Sequence, residues 1–382
     1  MPKPINVLFV ITSSDFGGTE SFLLQLVTGL DRARFRPLVV SLRPCGRIAD
    51  RIAECGVEVS TLEMSGRPRI RELLSGAREL RRRIDGGGVQ VVHSLLYRAN
   101  VLAAIAARWS STRPRMIAGQ RSLTAYSGWS AVRAARWTRR LCDRVVAVSE
   151  ASRQALIERE HCDPARIVVI ENGVDCQRFR PRNAERARRA LGLSEAALVI
   201  GAIGRLSPKK GFHDLVAAVE RLSAADLPVE LVLVGEGPER ARLEAEARAA
   251  RLDGRIRFLG HRSDVEDLYA AFDVFVLPSY EEGSPNALLE AMASGCPVIA
   301  TAVGGTPEIL DGPSLGRLIA PGDPVGMAAT LEELLRDPAL RRRLGNGGRE
   351  RVEELYELGG MIRRHEELYL ALVNPSGDRL LD

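Results

Sequence analysis

Short runs of Val, Ile and Leu recur along the whole chain and alternate with longer stretches of mixed polarity. That alternation constrains the fold more than any other feature. Runs that are apolar at every position belong to parallel strands buried on both faces, and the stretches between them are long enough to supply the covering helices. In the first half, strands are predicted at 7–11, 38–42, 57–62, 89–93, 116–119, 145–148 and 167–170. The pattern then pauses over a polar, arginine-rich segment, 172–195, that contains Pro181 and Gly192. It resumes with strands at 198–203, 231–234, 256–259, 274–277, 298–300 and 316–319, and a helical stretch follows over 338–373. At 382 residues the chain is long enough for two domains, each with its own core. The expected fold is therefore α/β, two doubly wound Rossmann-like domains facing across a cleft, with ligands at the carboxyl ends of the strands. The expected boundaries are 1–175 and 176–360, with 361–382 forming a C-terminal helix that crosses back to the N-terminal domain, plus a tail.

Charge narrows the function. The net charge is +5, but residues 1–175 carry +10 and residues 176–382 carry −5. All three tryptophans, Trp109, Trp129 and Trp137, lie in the basic half, and the last two are interleaved with Arg133, Arg136, Arg139 and Arg140. Read as a helix, this segment resembles an interfacial element that would rest on an anionic membrane surface. The simpler expectation is a solvated arginine-rich face with its aromatic side chains turned into the core. No nucleic-acid-binding motif accompanies the charge, so nucleic acid is not an expected partner. The six cysteines form no Cys-x-x-Cys pair, and the apolar start is too short for a signal peptide. No run reaches the length of a membrane span. A cytoplasmic protein is expected, peripheral on the inner face of the membrane if it meets one.

Positive charge is written almost entirely as arginine, 51 residues against three lysines, and two of those, Lys209 and Lys210, are neighbours. They stand in Gly204-Arg205-Leu206-Ser207-Pro208-Lys209-Lys210-Gly211, directly after the predicted strand 198–203. Arg205 and Lys210 are spaced so that one loop can bring a planar fork and a point charge onto a single diphosphate. Such cations can neutralise a phosphate leaving group without a metal. After the strand 274–277 comes a loop running from Pro278 through Glu281, Glu282, Gly283, Ser284 and Pro285 to Asn286, with a helix opening near Pro285. A helix start attracts phosphate, and a carboxylate such as Glu282 or Glu290 accepts two sugar or ribose hydroxyls at once. Gly17-Gly18-Thr19-Glu20 follows the first strand and would let a ligand approach the backbone, although a plain tight turn is the better reading of these residues alone. His93 ends the predicted strand 89–93 and is expected to look into the cleft, against the more ordinary reading of a core histidine. No Asp-x-Asp, Gly-x-Ser-x-Gly or Walker loop is present, and no metal site is expected.

Taken together, these residues resemble the retaining glycosyltransferase family 4, with the GT-B fold. Glu282 and Glu290 match its Glu-x7-Glu motif, Arg205 and Lys210 its Arg and Lys pair, and Gly17 and Gly18 its N-terminal glycine loop. Further family-like stretches are Val146-Ala147-Val148-Ser149-Glu150, Glu171-Asn172-Gly173-Val174-Asp175 and the run from Ala293 to Glu308. The resemblance covers nearly the whole chain. It implies a nucleotide-sugar donor, most often UDP-linked, held by the C-terminal domain, and a glycan or lipid-linked acceptor on the N-terminal domain. It gives Glu282 the donor sugar, Glu290 the ribose, Arg205 and Lys210 the diphosphate, His93 the donor sugar or transition state, and Gly18 closure over the phosphates. Gly283, Ser284 and Asn286 would complete the donor contacts. The family retains anomeric configuration by same-face attack, so no separate base or cofactor is implied. One departure is Pro285, which lacks an N–H and leaves the phosphate cradle one donor short.

The resulting expectation is a metal-independent hexosyl- or N-acetylhexosaminyltransferase of cell-surface polysaccharide or glycolipid synthesis. A sugar-nucleotide epimerase on the same architecture and a non-catalytic nucleotide-sugar-binding protein are the alternatives. A dehydrogenase is disfavoured, because no glycine loop gives Gly-x-Gly-x-x-Gly with a downstream acid. Acceptor choice is expected to lie in N-terminal loops such as 121–130.

Overall fold

The computed structural model describes residues 3–14, 17–66, 69–121, 128–194, 196–225 and 227–374. Most of the loop expected to choose the acceptor, 122–127, and the tail 375–382 lie outside the described residues. The chain divides into two compact units, one made of residues up to 172 together with those from 359 on, the other of Gly173–Leu358.

The first unit holds seven strands: β1 (Ile5–Ile11), β2 (Phe35–Ser41), β3 (Glu58–Thr61), β4 (Val91–Leu95), β5 (Arg115–Gln120), β6 (Arg144–Ala147) and β7 (Ile167–Val169). They form one sheet in the order β3-β2-β1-β4-β5-β6-β7, parallel throughout. The second unit holds β8 (Leu198–Ile203), β9 (Val229–Val234), β10 (Ile256–Phe258), β11 (Val274–Leu277), β12 (Val298–Thr301) and β13 (Arg317–Ile319). Their order is β10-β9-β8-β11-β12-β13, again parallel throughout. Every strand read from the sequence is present, with ends that differ by at most three residues. The reason is visible in the burial: β4, β11 and β12 are buried at every position, as strands covered by helices on both faces must be.

In a doubly wound sheet, ligands bind where the strand order reverses direction. That point falls between β1 and β4 in the first unit and between β8 and β11 in the second. The loops leaving β8 and β11 are the two that the sequence singled out for phosphate and carboxylate chemistry.

Two family-like stretches have a local structural job. Ser149 caps the helix Glu150–Glu160, its hydroxyl accepting from the Ser152 N–H at 3.1 Å. Asp175 accepts from the N–H groups of Gln177 and Arg178, both at 2.9 Å, and closes the turn that opens the second unit. The helical stretch 338–373 is not continuous: it breaks into Pro338–Leu355 and Leu358–Val373. Val174 pairs there with Glu357. Its N–H donates to the Tyr356 carbonyl at 2.8 Å and its carbonyl accepts from the Leu358 N–H at 3.0 Å, which diverts backbone groups that a continuous helix would need. The last helix, Leu358–Val373, then packs in the first unit, where Tyr369 is fully buried against Phe9, Phe35 and His93.

Candidate functional site

The second unit brings the predicted phosphate and carboxylate loops together. Lys210 ends a short 3-10 turn, Pro208–Lys210, after β8. Its Nζ donates to Glu282 Oε1 at 2.5 Å, and Ser279 Oγ donates to the same oxygen at 2.6 Å. Glu282 is only 9% exposed. Its Oε2 takes no bond from a described residue, so one face of the carboxylate is fixed by the protein and the other is open to a ligand. Lys210 has three donors, and holding Glu282 uses one of them.

Backbone contacts weld the two loops. Gly211 has φ +62°, and a Cβ there would lie 2.1 Å from the Pro278 carbonyl oxygen, so only glycine lets the β8 loop pass this close to the end of β11. The Tyr280 N–H donates to the Lys209 carbonyl at 2.8 Å. The Tyr280 hydroxyl donates to Asp214 Oδ2 at 2.7 Å and lies 2.9 Å from His213 Nε2. Burial, reinforced by that bond to Asp214, pushes the Tyr280 phenol up to about 12, so the hydroxyl stays protonated as a donor. Lys209 faces the other way and pairs with Glu281 at 2.7 Å. Arg205 is exposed in the same β8 loop, and no ion pair among the described residues engages its guanidinium.

The helix after this loop is Asn286–Ala293, with Pro285 as its N-cap rather than its first helical residue. The boundary sits one position later than the sequence suggested, because Pro285 keeps an extended ψ of 108°. Gly283 and Ser284 lead into the turn, and the Gly283 carbonyl accepts from the Gly305 N–H at 3.2 Å. Asn286 opens the helix, and the first-turn N–H groups of any helix have no partner within it. Glu290 lies one turn further on and accepts from the Tyr269 hydroxyl at 2.9 Å on Oε2. Burial pushes the Glu290 carboxyl above its usual range, against the lowering effect of that hydrogen bond.

The remaining predicted residues belong to the first unit. Gly17 is the extended N-cap of the helix Gly18–Gly29, and a Cβ on it would meet the Glu20 carboxylate. The two glycines thus give a helix start at the carboxyl end of β1. His93 requires a correction. It is the third residue of β4, not the last, and it is fully buried. Its Nδ1 lies 2.8 Å from the Tyr369 hydroxyl, its ring stacks on His365 at 5.7 Å between centroids, and its Nε2 has no partner among the described residues. Burial holds both imidazoles well below the usual range, His365 at about 4, so they are neutral. The sequence could not show that the closing helix would cover this strand. The tryptophans correct a second expectation: Trp129 is 75% exposed and Trp137 48%, so neither ring is turned into the core.

Some site residues were missed by sequence reasoning. Ser279 and Tyr280 stand within the loop that was singled out, and a hydroxyl beside a carboxylate was a usable signal. Tyr269 had none, being a single tyrosine 21 positions before Glu290. Among the described residues, no three His, Cys, Asp or Glu side chains converge as a metal site would need.

Known proteins are similar to this chain. The model of Glycosyltransferase Family 4 matches residues 16–178, and that of Glycosyl transferases group 1 matches 183–351. D-inositol 3-phosphate glycosyltransferase of Salinispora arenicola is 37% identical over 224 residues, 54% of this chain and 50% of the relative. N-acetyl-alpha-D-glucosaminyl L-malate synthase of Bacillus anthracis is 31% identical over 203 residues, 53% of each. The chain thus spans about half the length of the curated relatives it matches. Among solved structures, a glycosyltransferase from Rickettsia africae superposes with a TM-score of 0.86 at 21% identity, covering 98% of this chain and 100% of that one. HepE of Anabaena, in complex with UDP-glucose, gives 0.84 at 22% identity, over 95% and 99%. These structural likenesses speak for the fold, which is GT-B. With the two family models adjoining along its length, the chain belongs to glycosyltransferase family 4, and its second half is a glycosyl transferases group 1 domain.

Proposed function

We propose that the protein is a retaining, metal-independent glycosyltransferase that moves a hexosyl or N-acetylhexosaminyl group from a UDP-linked sugar to a glycan or lipid-linked acceptor. The observation that carries this reading is the Lys210–Glu282–Ser279 cluster, which sets a cation and a half-open carboxylate side by side at the strand-order reversal of the second unit. In the reaction, the acceptor hydroxyl oxygen bonds to the anomeric carbon while the bond from that carbon to the β-phosphate oxygen breaks on the same face. The departing diphosphate takes the hydroxyl proton. Lys210 and Arg205 stabilise the charge that develops on the diphosphate, a term that grows in the transition state and so accelerates the step. Glu282 Oε2 accepts from donor sugar hydroxyls, and Glu290 accepts from the ribose diol. Gly283, Ser284 and Asn286 line the phosphates at the start of the helix Asn286–Ala293. His93 positions β4 against the closing helix and has no direct contact in this reading.

The UDP assignment draws on HepE, which was crystallised with UDP-glucose. Use in cell-surface polysaccharide or glycolipid synthesis fits a chain in which no described helix is long and apolar enough to cross a membrane, yet whose basic half would attach it peripherally to an anionic inner surface. The test is turnover of a panel of nucleotide sugars with mass analysis of the products. A new glycosidic bond supports the reading. An epimerised nucleotide sugar, or binding without turnover, contradicts it.

A further inference from the structure

The helix Trp129–Arg140 carries its exposed side chains in one stripe. Trp129, Arg133, Trp137 and Arg140 are all exposed, and at about 100° per residue they fall within about 80° of helix circumference. The Arg133 guanidinium lies over the Trp129 ring, 4.5 Å from its centroid. The opposite side fixes this orientation. Ala135, Thr138 and Arg139 are buried, and Arg139 forms an ion pair with Glu160 at 3.0 Å and donates to Gln120 at 2.6 Å, both deep in the unit. The helix therefore cannot roll to hide its tryptophans without breaking a buried charge pair.

The segment that carries this helix is rich in arginine. Between Asp85 and Asp143 the chain contains nine arginines, all three tryptophans and no acidic residue. This segment builds β4, the helix Tyr97–Trp109, β5 and the helix Trp129–Arg140, and the two helices pack side by side. Each follows its strand back to the amino edge of the sheet. There the first ends in Trp109, which is 43% exposed. An exposed indole costs hydrophobic free energy in water, and three of them beside the exposed Arg108, Arg133 and Arg140 form a surface that water alone does not explain.

We infer that the Trp129–Trp137 stripe, extended by Trp109, is a docking surface for an anionic lipid bilayer. The indoles would seat at headgroup depth, and Arg133 and Arg140 would reach lipid phosphates, as amphipathic aromatic and arginine side chains do at interfaces. Alternating Trp and Arg along one helix, without acids, favours a laterally fluid anionic surface over a protein partner, whose interface would pair such cations individually. This rests on the peripheral attachment proposed above and assigns it to one helix face.

The experiment is flotation of the full chain with vesicles of phosphatidylcholine alone and of phosphatidylcholine with phosphatidylglycerol in equal parts, with tryptophan emission recorded. The wild type is expected to float only with the anionic vesicles, to lose binding as salt rises, and to shift its emission to the blue. W129A/W137A and R133E/R140E should each reduce partitioning about tenfold or more. They should bind UDP as the wild type does, which separates loss of docking from loss of fold. Undiminished flotation of both variants would overturn the stripe while leaving peripheral attachment standing. A wild type that stays soluble with anionic vesicles would overturn both, and donor turnover would be unaffected by either result. Anionic binding without a blue shift, or binding to duplex DNA that outcompetes the vesicles, would equally overturn the proposal.

Discussion

Lys210 Nζ lies 2.5 Å from Glu282 Oε1, across loops 72 residues apart in sequence. The cation proposed for the diphosphate and the carboxylate proposed for the sugar are therefore one unit, anchored from below by Ser279. Removing the ammonium takes away a transition-state contact and also leaves a nearly buried carboxylate without its counter-ion. Lys210→Ala should lower kcat by about 10²-fold or more, by comparison with the loss of other fixed charge stabilisers. Lys210→Arg should recover little, because a planar fork cannot meet Glu282 and a phosphate as a compact ammonium does. Steady-state kinetics on the best donor from the panel checks both.

Glu290 offers a test in which function and stability move in opposite directions. Burial raises its carboxyl pKa in the folded state. A raised acid contributes stability while protonated, and that contribution is lost as pH rises through the folded pKa, so at neutral pH the charged group weakens the fold. Glu290→Gln should raise the melting temperature at pH 7.5 and lose that advantage as pH falls into the carboxylate range. It should also weaken nucleotide binding. Differential scanning fluorimetry with and without UDP reads both changes, and a variant that binds UDP as well as the wild type would remove Glu290 from the site.

Gly211→Ala should fail for a backbone reason. The added Cβ would meet the Pro278 carbonyl oxygen at 2.1 Å, at a φ of +62° that alanine resists. Because the obstacle is main chain, relief requires parting the two loops. A loss of about 2 kcal/mol or more in urea unfolding is expected, with residual activity falling further than stability because Lys210 and Glu282 separate.

The histidine pair formed where the closing helix meets β4 predicts an acid-sensitive first unit. His365 is depressed to about 4 and His93 is lowered as well, both by burial. As pH falls below the unfolded value of about 6.5, the unfolded chain takes up protons that the folded chain refuses, so stability declines between about 6.5 and 4. His365→Gln should flatten the melting temperature over that window, although it lowers it at pH 7.5. An unchanged slope in the variant would contradict the assignment.

The strands were legible because a doubly buried strand needs an unbroken apolar run, and β8 and β11 match their predicted limits residue for residue. The loops bearing Arg205, Lys210 and Glu282 were legible for a related reason, since each follows such a strand directly. What stayed hidden depended on distant pairing. Nothing local to His93 announces that Tyr369, 276 positions later, will cover it. Trp129 and Trp137 read as core because tryptophan usually is, and the buried Arg139–Glu160 pair on the opposite side holds that helix with both rings outward. Tyr269 reaches Glu290 through packing that no spacing rule encodes.

In the proposed reaction the second unit grips a nucleoside diphosphate through Arg205 and Lys210. Calorimetric titration of UDP and uridine, with the wild type and with the Arg205→Ala/Lys210→Ala variant, tests it most directly. The wild type should bind UDP more tightly than uridine by about tenfold or more, a difference of about 1.4 kcal/mol or greater. The variant should bind the two nearly alike while keeping the wild-type affinity for uridine. A wild type that does not prefer UDP, or a variant that keeps the full preference, would show that these two cations do not hold the diphosphate.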